Sequence, residues 1–299
     1  ALLLDLTHFD PSALMPDGRV LLNMIVEAGR ESPAFDELLK RGVKLRTRDR
    51  SRRNAFQVAI DHRNARLVDR LLQYDPSILN ELEGGGTYLN YAAERPSREL
   101  LGVLLARGAK LDVELPAHDT VLTRLVTRAR PEVIRQVIEQ LRPDLNRADG
   151  NRMTPLRIAV GRRDAETVKI LLAQGADPAQ MIDGISPYSL ALSLHDPDIL
   201  NALLADPRVD PNSHHEYRGT SLGIAAKEGD LEAVELLLAH GADPRALDLY
   251  GRPALFYAVR SGRHDVIEKL RKAAPEMAHA RDRAGMDLKE FKKIFEAPE

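Results

Sequence analysis

The 299-residue sequence has no cysteine and no tryptophan, and only 4% of its residues are aromatic. Without cysteine there is no disulfide framework, no thiolate-bound zinc or iron–sulfur cluster and no cysteine nucleophile. Scarce aromatic rings argue against recognition of single-stranded nucleic acid, which stacks bases on such rings. An excess of one charge sign is also missing: 43 basic residues face 45 acidic ones, a net charge of −2. No global field favours a polyanion, so nucleic acid is not an expected partner. Apolar runs such as Leu100–Ala106 fall far short of the roughly 20 residues that span a bilayer. The opening Ala-Leu-Leu-Leu-Asp is too short for a signal-peptide core, and no basic residue precedes it. An initiator Met is lacking too, which implies processing, trimming or excision from a longer chain.

What is present is a period. One apolar position recurs as Leu38, Leu71, Leu104, Val137, Leu171, Leu204, Leu237 and Leu270, in steps of 33 with a single 34. A second register, mostly small, recurs as Ile25, Ala59, Ala92, Leu125, Ala159, Ala191, Ala225 and Ala258. Two registers that hold over eight units mark stacked repeats rather than one central core.

Each unit reads as two short helices. In the stretch from Asp149 to Gln180, Thr154 caps a helix and Pro155 fills its first position. Leu156, Ala159 and Val160 follow at helical spacing, and Gly161-Arg162-Arg163-Asp164 breaks it. A second face, Val168, Leu171 and Leu172, runs to Gly175, which suits the left-handed position after a helix end. Small Ala side chains let neighbouring pairs stack closely.

Thr154-Pro155-Leu156-Arg157-Ile158-Ala159, Leu171-Leu172-Ala173-Gln174-Gly175-Ala176-Asp177-Pro178 and Leu236-Leu237-Leu238-Ala239-His240-Gly241-Ala242-Asp243-Pro244 resemble ankyrin repeats. Gly108-Ala109-Lys110 and Gly42-Val43-Lys44 are weaker copies. The resemblance implies an all-α solenoid of helix pairs with hairpin-like turns. It divides the chain into an N-terminal cap (1–16), eight repeats (17–278) and a partial repeat with a capping helix (279–299). The family's His after Pro-Leu is replaced throughout, by Asn23, Gln57, Asn90, Thr123, Arg157, Ser189, Gly223 and Phe256. Gly223 and Phe256 offer no side-chain hydrogen bond, so less regular stacking is expected there. In the fourth unit a residue is inserted around Arg142-Pro143, and no Gly ends the second helix.

The resemblance further implies a non-enzymatic module that binds a protein on the concave face made by turns and first helices. By register, that face offers Arg50, Arg52, Arg53, Asp61, Arg63, Glu94, Arg128, Arg162, Lys227 and Arg260. Arg41 to Arg53 carries seven basic residues against Asp49 alone, a dock for an acidic partner. The alternative is a solvated turn paired with nearby acids in an Arg-biased proteome, since the chain has 33 Arg and only 10 Lys. A second candidate group is Glu216, Tyr217, Arg218, Tyr250 and Arg252, because Tyr and Arg commonly anchor interfaces.

The search for chemistry finds little. His214-His215-Glu216 places adjacent side chains on opposite sides of an extended turn, with no further metal ligand at a suitable spacing. Glu83-Gly84-Gly85-Gly86-Thr87 lacks the Lys of a phosphate loop, and no Ser has the Gly-x-Ser-x-Gly surround of a hydrolase. The pairs His118-Asp119, His195-Asp196 and His264-Asp265 fall at breaks between elements. No cofactor is expected. At the ends, Leu2, Leu3, Leu4, Leu6 and Phe9 read as a cap, and Leu288, Phe291, Ile294 and Phe295 as the apolar side of a capping helix. The Arg bias suits a G+C-rich bacterium. The expected roles are then a secreted effector that engages a host protein, or a cytoplasmic inhibitor of a toxin or enzyme. The alternative is the regulatory or targeting arm of a larger enzyme.

Overall fold

The computed structural model describes residues 10–29, 32–81, 86–110, 120–215 and 219–296, with side chains described as far as residue 294. The expected leucine cap of residues 2–9, the glycines 84 and 85, residues 116–119, the group 216–218 and the Phe295 side chain lie outside them. The described residues form seventeen α-helices and two 3₁₀ turns, Pro76–Asn80 and Pro275–His279. The only β-type pairing among them is isolated bridges across turns, such as Leu14 with Val20 and Leu247 with Pro253. The chain is an all-α repeat solenoid, as expected. It falls into two compact units, one ending at Asn151 and the other beginning at Arg152.

The first unit holds four pairs: α1 (Leu21–Glu27) with α2 (Pro33–Lys40), α3 (Ala55–Asp61) with α4 (Ala65–Tyr74), α5 (Tyr88–Ala93) with α6 (Arg98–Ala106), and α7 (Val121–Arg128) with α8 (Pro131–Leu141). First helices stack on first helices and α4, α6 and α8 stack in turn. The second unit repeats the plan with α9 (Pro155–Gly161) and α10 (Ala165–Ala173), α11 (Pro187–Leu194) and α12 (Pro197–Leu204), α13 (Ser221–Glu228) and α14 (Leu231–Ala239), and α15 (Ala254–Ser261) and α16 (His264–Ala273). The last helix, α17 (Leu288–Glu296), packs on α15.

Both registers are the core. Every member of the leucine series is buried, and so are Ala59, Ala92, Leu125, Ala159, Ala191, Ala225 and Ala258. Ile25 departs, being half-buried in the first pair, where no described helix precedes it. At full burial a Leu contributes about 1.5–3 kcal/mol, so this register adds strongly to the cohesion of each unit.

Caps fix where each helix begins. Side chains of Asn54, Thr87, Thr120, Thr154, Ser186 and Thr220 accept from the third amide of the first helices. Ser32, Asn64, Ser97, Asp164, Asp196 and Asp230 do the same for second helices. Arg130 and Arg263 occupy the same position and make no such bond. Turns between pairs are set by aspartates that bind amides two and four residues on, as Asp49 does with Ser51 and Arg53, and Asp248 with Tyr250 and Arg252.

Two expectations change. Stacking at Gly223 and Phe256 is close rather than loose. A Cβ on Gly223 would lie 3.1 Å from Thr220 Oγ1 and 3.3 Å from Tyr257 Cδ2, so α15 packs close against the bare glycine. Phe256 is fully buried and its ring lies 5.2 Å from that of Phe291 on α17. Apolar contact replaces the hydrogen bond the register otherwise carries. The other change is at Ile294, which is exposed while Leu288 and Phe291 are buried.

Elsewhere the substituted register bonds in several ways. Asn23 Nδ2 donates to the Arg53 carbonyl at 2.8 Å, tying two pairs together. Gln57 and Ser189 instead close capping boxes on Asn54 and Ser186 within their own pair.

Candidate interaction surface

The basic turn from Arg41 to Arg53 joins α2 to α3, and three of its seven basic residues pair with acids within the chain. Arg41 pairs with Glu37 at 2.7 Å. Arg46 reaches Asp75 at 2.8 Å and Glu81 at 2.6 Å, and the bond to Glu81 does most to strengthen its hold on the proton. Arg53 lies near Asp49, Asp61 and Glu27 at 3.4–3.9 Å. Arg50 and Arg52 are exposed and form no ion pair among the described residues. Arg52 stands at φ +59°, where the corresponding turn near Tyr250 has Gly251.

Asp61 and Glu94 end first helices and tie successive pairs. Asp61 Oδ1 accepts from the Tyr91 hydroxyl at 3.0 Å and from Arg95 Nη1 at 3.3 Å. Burial first, then the Asp61 charge, raises the Tyr91 pKa. Glu94 pairs with Arg124 at 2.7 Å and with Arg128 at 3.1 Å. These acids therefore hold an ionic ladder inside the first unit.

Where the loops from first to second helices meet, the first unit has a groove of about 830 Å³. It is lined by Arg63, Arg95, Arg98, Arg128 and Arg130 together with Glu94, Glu99 and Glu132. Arg63 and Arg128 were expected at the surface; Arg98 and Arg130 were missed. The signal was available, because both stand at the start of second helices one repeat apart. The same loops of the second unit line a cleft of about 410 Å³ with Asp196, Glu228, Asp230 and Glu232, against Arg263 and His195. There His195 Nδ1 meets Asp230 Oδ2 at 2.7 Å. Equivalent register thus carries opposite charge in the two units.

In the second unit, Arg162, Lys227 and Arg260 are exposed at first-helix ends. Lys227 approaches Glu228 at 3.8 Å. Arg252 is held inside: its guanidinium lies 4.8 Å from the Phe291 ring centroid and 5.2 Å from that of Tyr250, and it pairs with Asp282. Tyr250 remains 45% exposed beside Leu247 and Leu249, each 50% exposed. Met181 and Ile185, on an earlier turn of this unit, are exposed as well. Of these apolar turn residues, the turn Leu249 to Arg252 was expected at the binding face, whereas Leu247, Met181 and Ile185 were not anticipated.

The histidine pair is spent on hydrogen bonds within the second unit. His214 Nε2 lies 3.2 Å from the Leu247 carbonyl and His215 Nε2 lies 2.9 Å from Ser221 Oγ. Burial first, then His214, pushes the His215 pKa down to about 4. His264 pairs with Glu268 at 3.3 Å. Among the described residues no three His, Asp or Glu side chains gather to hold a metal ion, and no helix is long and apolar enough to cross a membrane.

Comparison with known proteins completes the picture. The ankyrin-repeat family model (three copies) matches residues 89–182 and 188–279. Ankyrin repeat protein nuc-2 of Neurospora crassa is 28% identical over 243 residues, covering 80% of this chain and 20% of that protein. The human ARF GTPase-activating protein GIT1 is 33% identical over 99 residues, 31% of this chain and 13% of that one. The human transient receptor potential cation channel subfamily A member 1 is 28% identical over 138 residues, 46% and 12% of the two chains. The chain thus spans a fifth or less of these relatives. With more than half its length matched in two stretches, and with helix pairs stacked as the period requires, the chain belongs to the ankyrin-repeat family of protein-interaction modules.

Proposed function

We propose that the chain binds a protein partner through its turns and first-helix ends, as eight repeats acting without catalysis. The observation that carries this reading is the exposed apolar group Leu247, Leu249 and Tyr250 on one turn of the second unit. Large apolar side chains held in water at the tip of a rigid turn cost free energy unless a partner covers them. The test is quantitative capture from the source cell with wild-type protein and with Leu247→Ser/Leu249→Ser. Specific loss of captured proteins supports the reading, and an unchanged set rejects it.

Two free-standing roles suit such a surface: an effector that engages a host protein, and an inhibitor of a toxin or enzyme. The bacterial source behind the first rests on the Arg bias, the missing cysteine and the divergent repeats; the named relatives are eukaryotic. The second reading, a regulatory or targeting arm of a larger protein, is favoured by the small share of each relative that the chain covers. An antibody raised against residues 219–296 distinguishes the two. A cellular band at the mass of 299 residues supports a free-standing protein, and a much larger band supports the arm.

A further inference from the structure

We infer that the basic groove of the first unit is a second binding site, for a phosphorylated protein segment with basic flanks. This rests on the reading of the chain as a protein-binding module, but it uses residues remote in sequence from the apolar turn proposed above.

The groove holds three exposed arginines, Arg63, Arg98 and Arg130, that form no ion pair among the described residues. They come from three successive repeats. Each guanidinium offers a planar fork of donors, and a phosphate dianion has room for several such forks where a carboxylate takes one or two. The α8 N-terminus opens beside them without a side-chain cap, and its dipole favours an anion there, a preference that Glu132 in the first turn partly meets.

Two of these arginines stand where the fold prefers other residues. Arg63 is left-handed, with φ +52°, at the loop position that Gly229 and Gly262, but also Arg163 and His195, fill at positive φ in the second unit. Arg130 sits at a cap position that Asn64 and Ser97 fill with bonding side chains in the neighbouring repeats. Arg263, its counterpart in the second unit, at least pairs with Asp265 at 2.8 Å. Neither position gains from an arginine within the fold, and both deliver their charge to the same groove.

The acids choose the class of ligand. Glu99 and Glu132 line the same groove and also form no ion pair among the described residues. A uniform polyanion, whether duplex DNA or an anionic membrane, would meet them unfavourably. A peptide with one phosphate and flanking Lys or Arg satisfies both signs.

The test uses the full chain against an arrayed peptide library with a fixed phosphoserine and random flanks, and the same library with serine. The variant is Arg63→Gly/Arg130→Asn, which removes two cations while relieving the left-handed strain and supplying a cap. Its melting temperature is expected at or above wild type, so lost binding is not lost folding. Support is selective retention on the phosphoserine array, enrichment of Lys and Arg at the flanks, and at least a tenfold loss of affinity in the variant. Equal binding to both arrays, undiminished binding by the variant, or stronger binding to duplex DNA or to phosphoinositide vesicles would overturn it. Capture through Leu247 and Leu249 is read separately, so either site can fail without the other.

Discussion

Arg252 donates from Nε at 3.0 Å and from Nη2 at 2.9 Å to a single oxygen, Oδ2, of Asp282. The Asp282 side chain is almost wholly covered. Burial alone would raise its pKa, but Arg252 and the amides of Met286 and Ala284 outweigh burial and hold it below the usual carboxylate value. A depressed carboxylate stabilises the fold above its unfolded pKa, and that contribution fades as pH falls through the folded value. Asp282→Ala removes the charge-assisted bonds and is expected to cost about 2 kcal/mol at pH 7. The deficit should shrink below pH 4, as urea titrations at the two pH values will show. A constant deficit would mean the charge is irrelevant.

Among the described residues five arginines stand at positive φ: Arg52, Arg63, Arg142, Arg152 and Arg163. A side chain there crowds its own carbonyl, which glycine avoids. Arg142 follows α8 directly, in the place a helix-ending glycine usually takes, and it is exposed. Arg142→Gly and Arg163→Gly are therefore expected to raise stability by about 0.5–1 kcal/mol each. The converse, Gly229→Ala, places a Cβ 2.6 Å from Arg263 Cγ at φ +69° and should destabilise. Chemical denaturation of the three variants checks both signs.

The period made the helices legible, because a stacked repeat must place the same burial at the same step. Leu71 and Ala59 could be placed for that reason alone. Side-chain partners were not legible from one repeat. Asp61 reads as a surface acid at a helix end, yet its bonds lie 30 and 34 residues on, at Tyr91 and Arg95. Glu94 with Arg124 and Arg128 repeats that offset, so the pattern is visible once two repeats are aligned. The left-handed arginines escaped notice because an Arg in a turn reads as charge, and its backbone angle leaves no trace in composition. Arg98 and Arg130 are not legible from first-helix ends, because the groove is completed by the starts of the helices that follow.

Asp61 offers a direct check on that ladder. Tyr91→Phe removes one bond and should cost about 1 kcal/mol. Asp61→Ala leaves the Tyr91 hydroxyl and two guanidinium groups without it, and should cost more. Adding both changes should give less than the sum, because the residues share one interaction. Additive losses in a double-mutant cycle would show that the ladder is geometric only.

His215 predicts an acid-sensitive second unit. Its ring lies 5.6 Å from Tyr188, and burial holds it neutral with a pKa near 4. The unfolded imidazole titrates near 6.5, so between about pH 6.5 and 4 the unfolded chain binds the extra proton. Stability should fall as pH drops through that window, and His215→Asn should flatten the slope. A ring-proton NMR titration with a midpoint near 6.5 would contradict the assignment.

The last helix gives the final prediction. Phe291 covers Phe256 of α15 on one side and receives Arg252 over its ring on another. Both Phe291 and Phe256 are buried, so Phe291→Ala opens a void against the end of the stack. Large-to-small changes of this kind cost about 3–5 kcal/mol where the site cannot collapse. The end of a solenoid relaxes more readily than its middle, which places the expected loss near 3 kcal/mol. Ile294→Ser, one turn on and exposed, should cost under about 0.5 kcal/mol. If α17 caps the array, hydrogen exchange in Phe291→Ala should speed up first in α15 and α16 and leave α9 and α10 protected. Uniform exchange across the second unit would mean instead that the unit opens as one body and α17 is merely its last part.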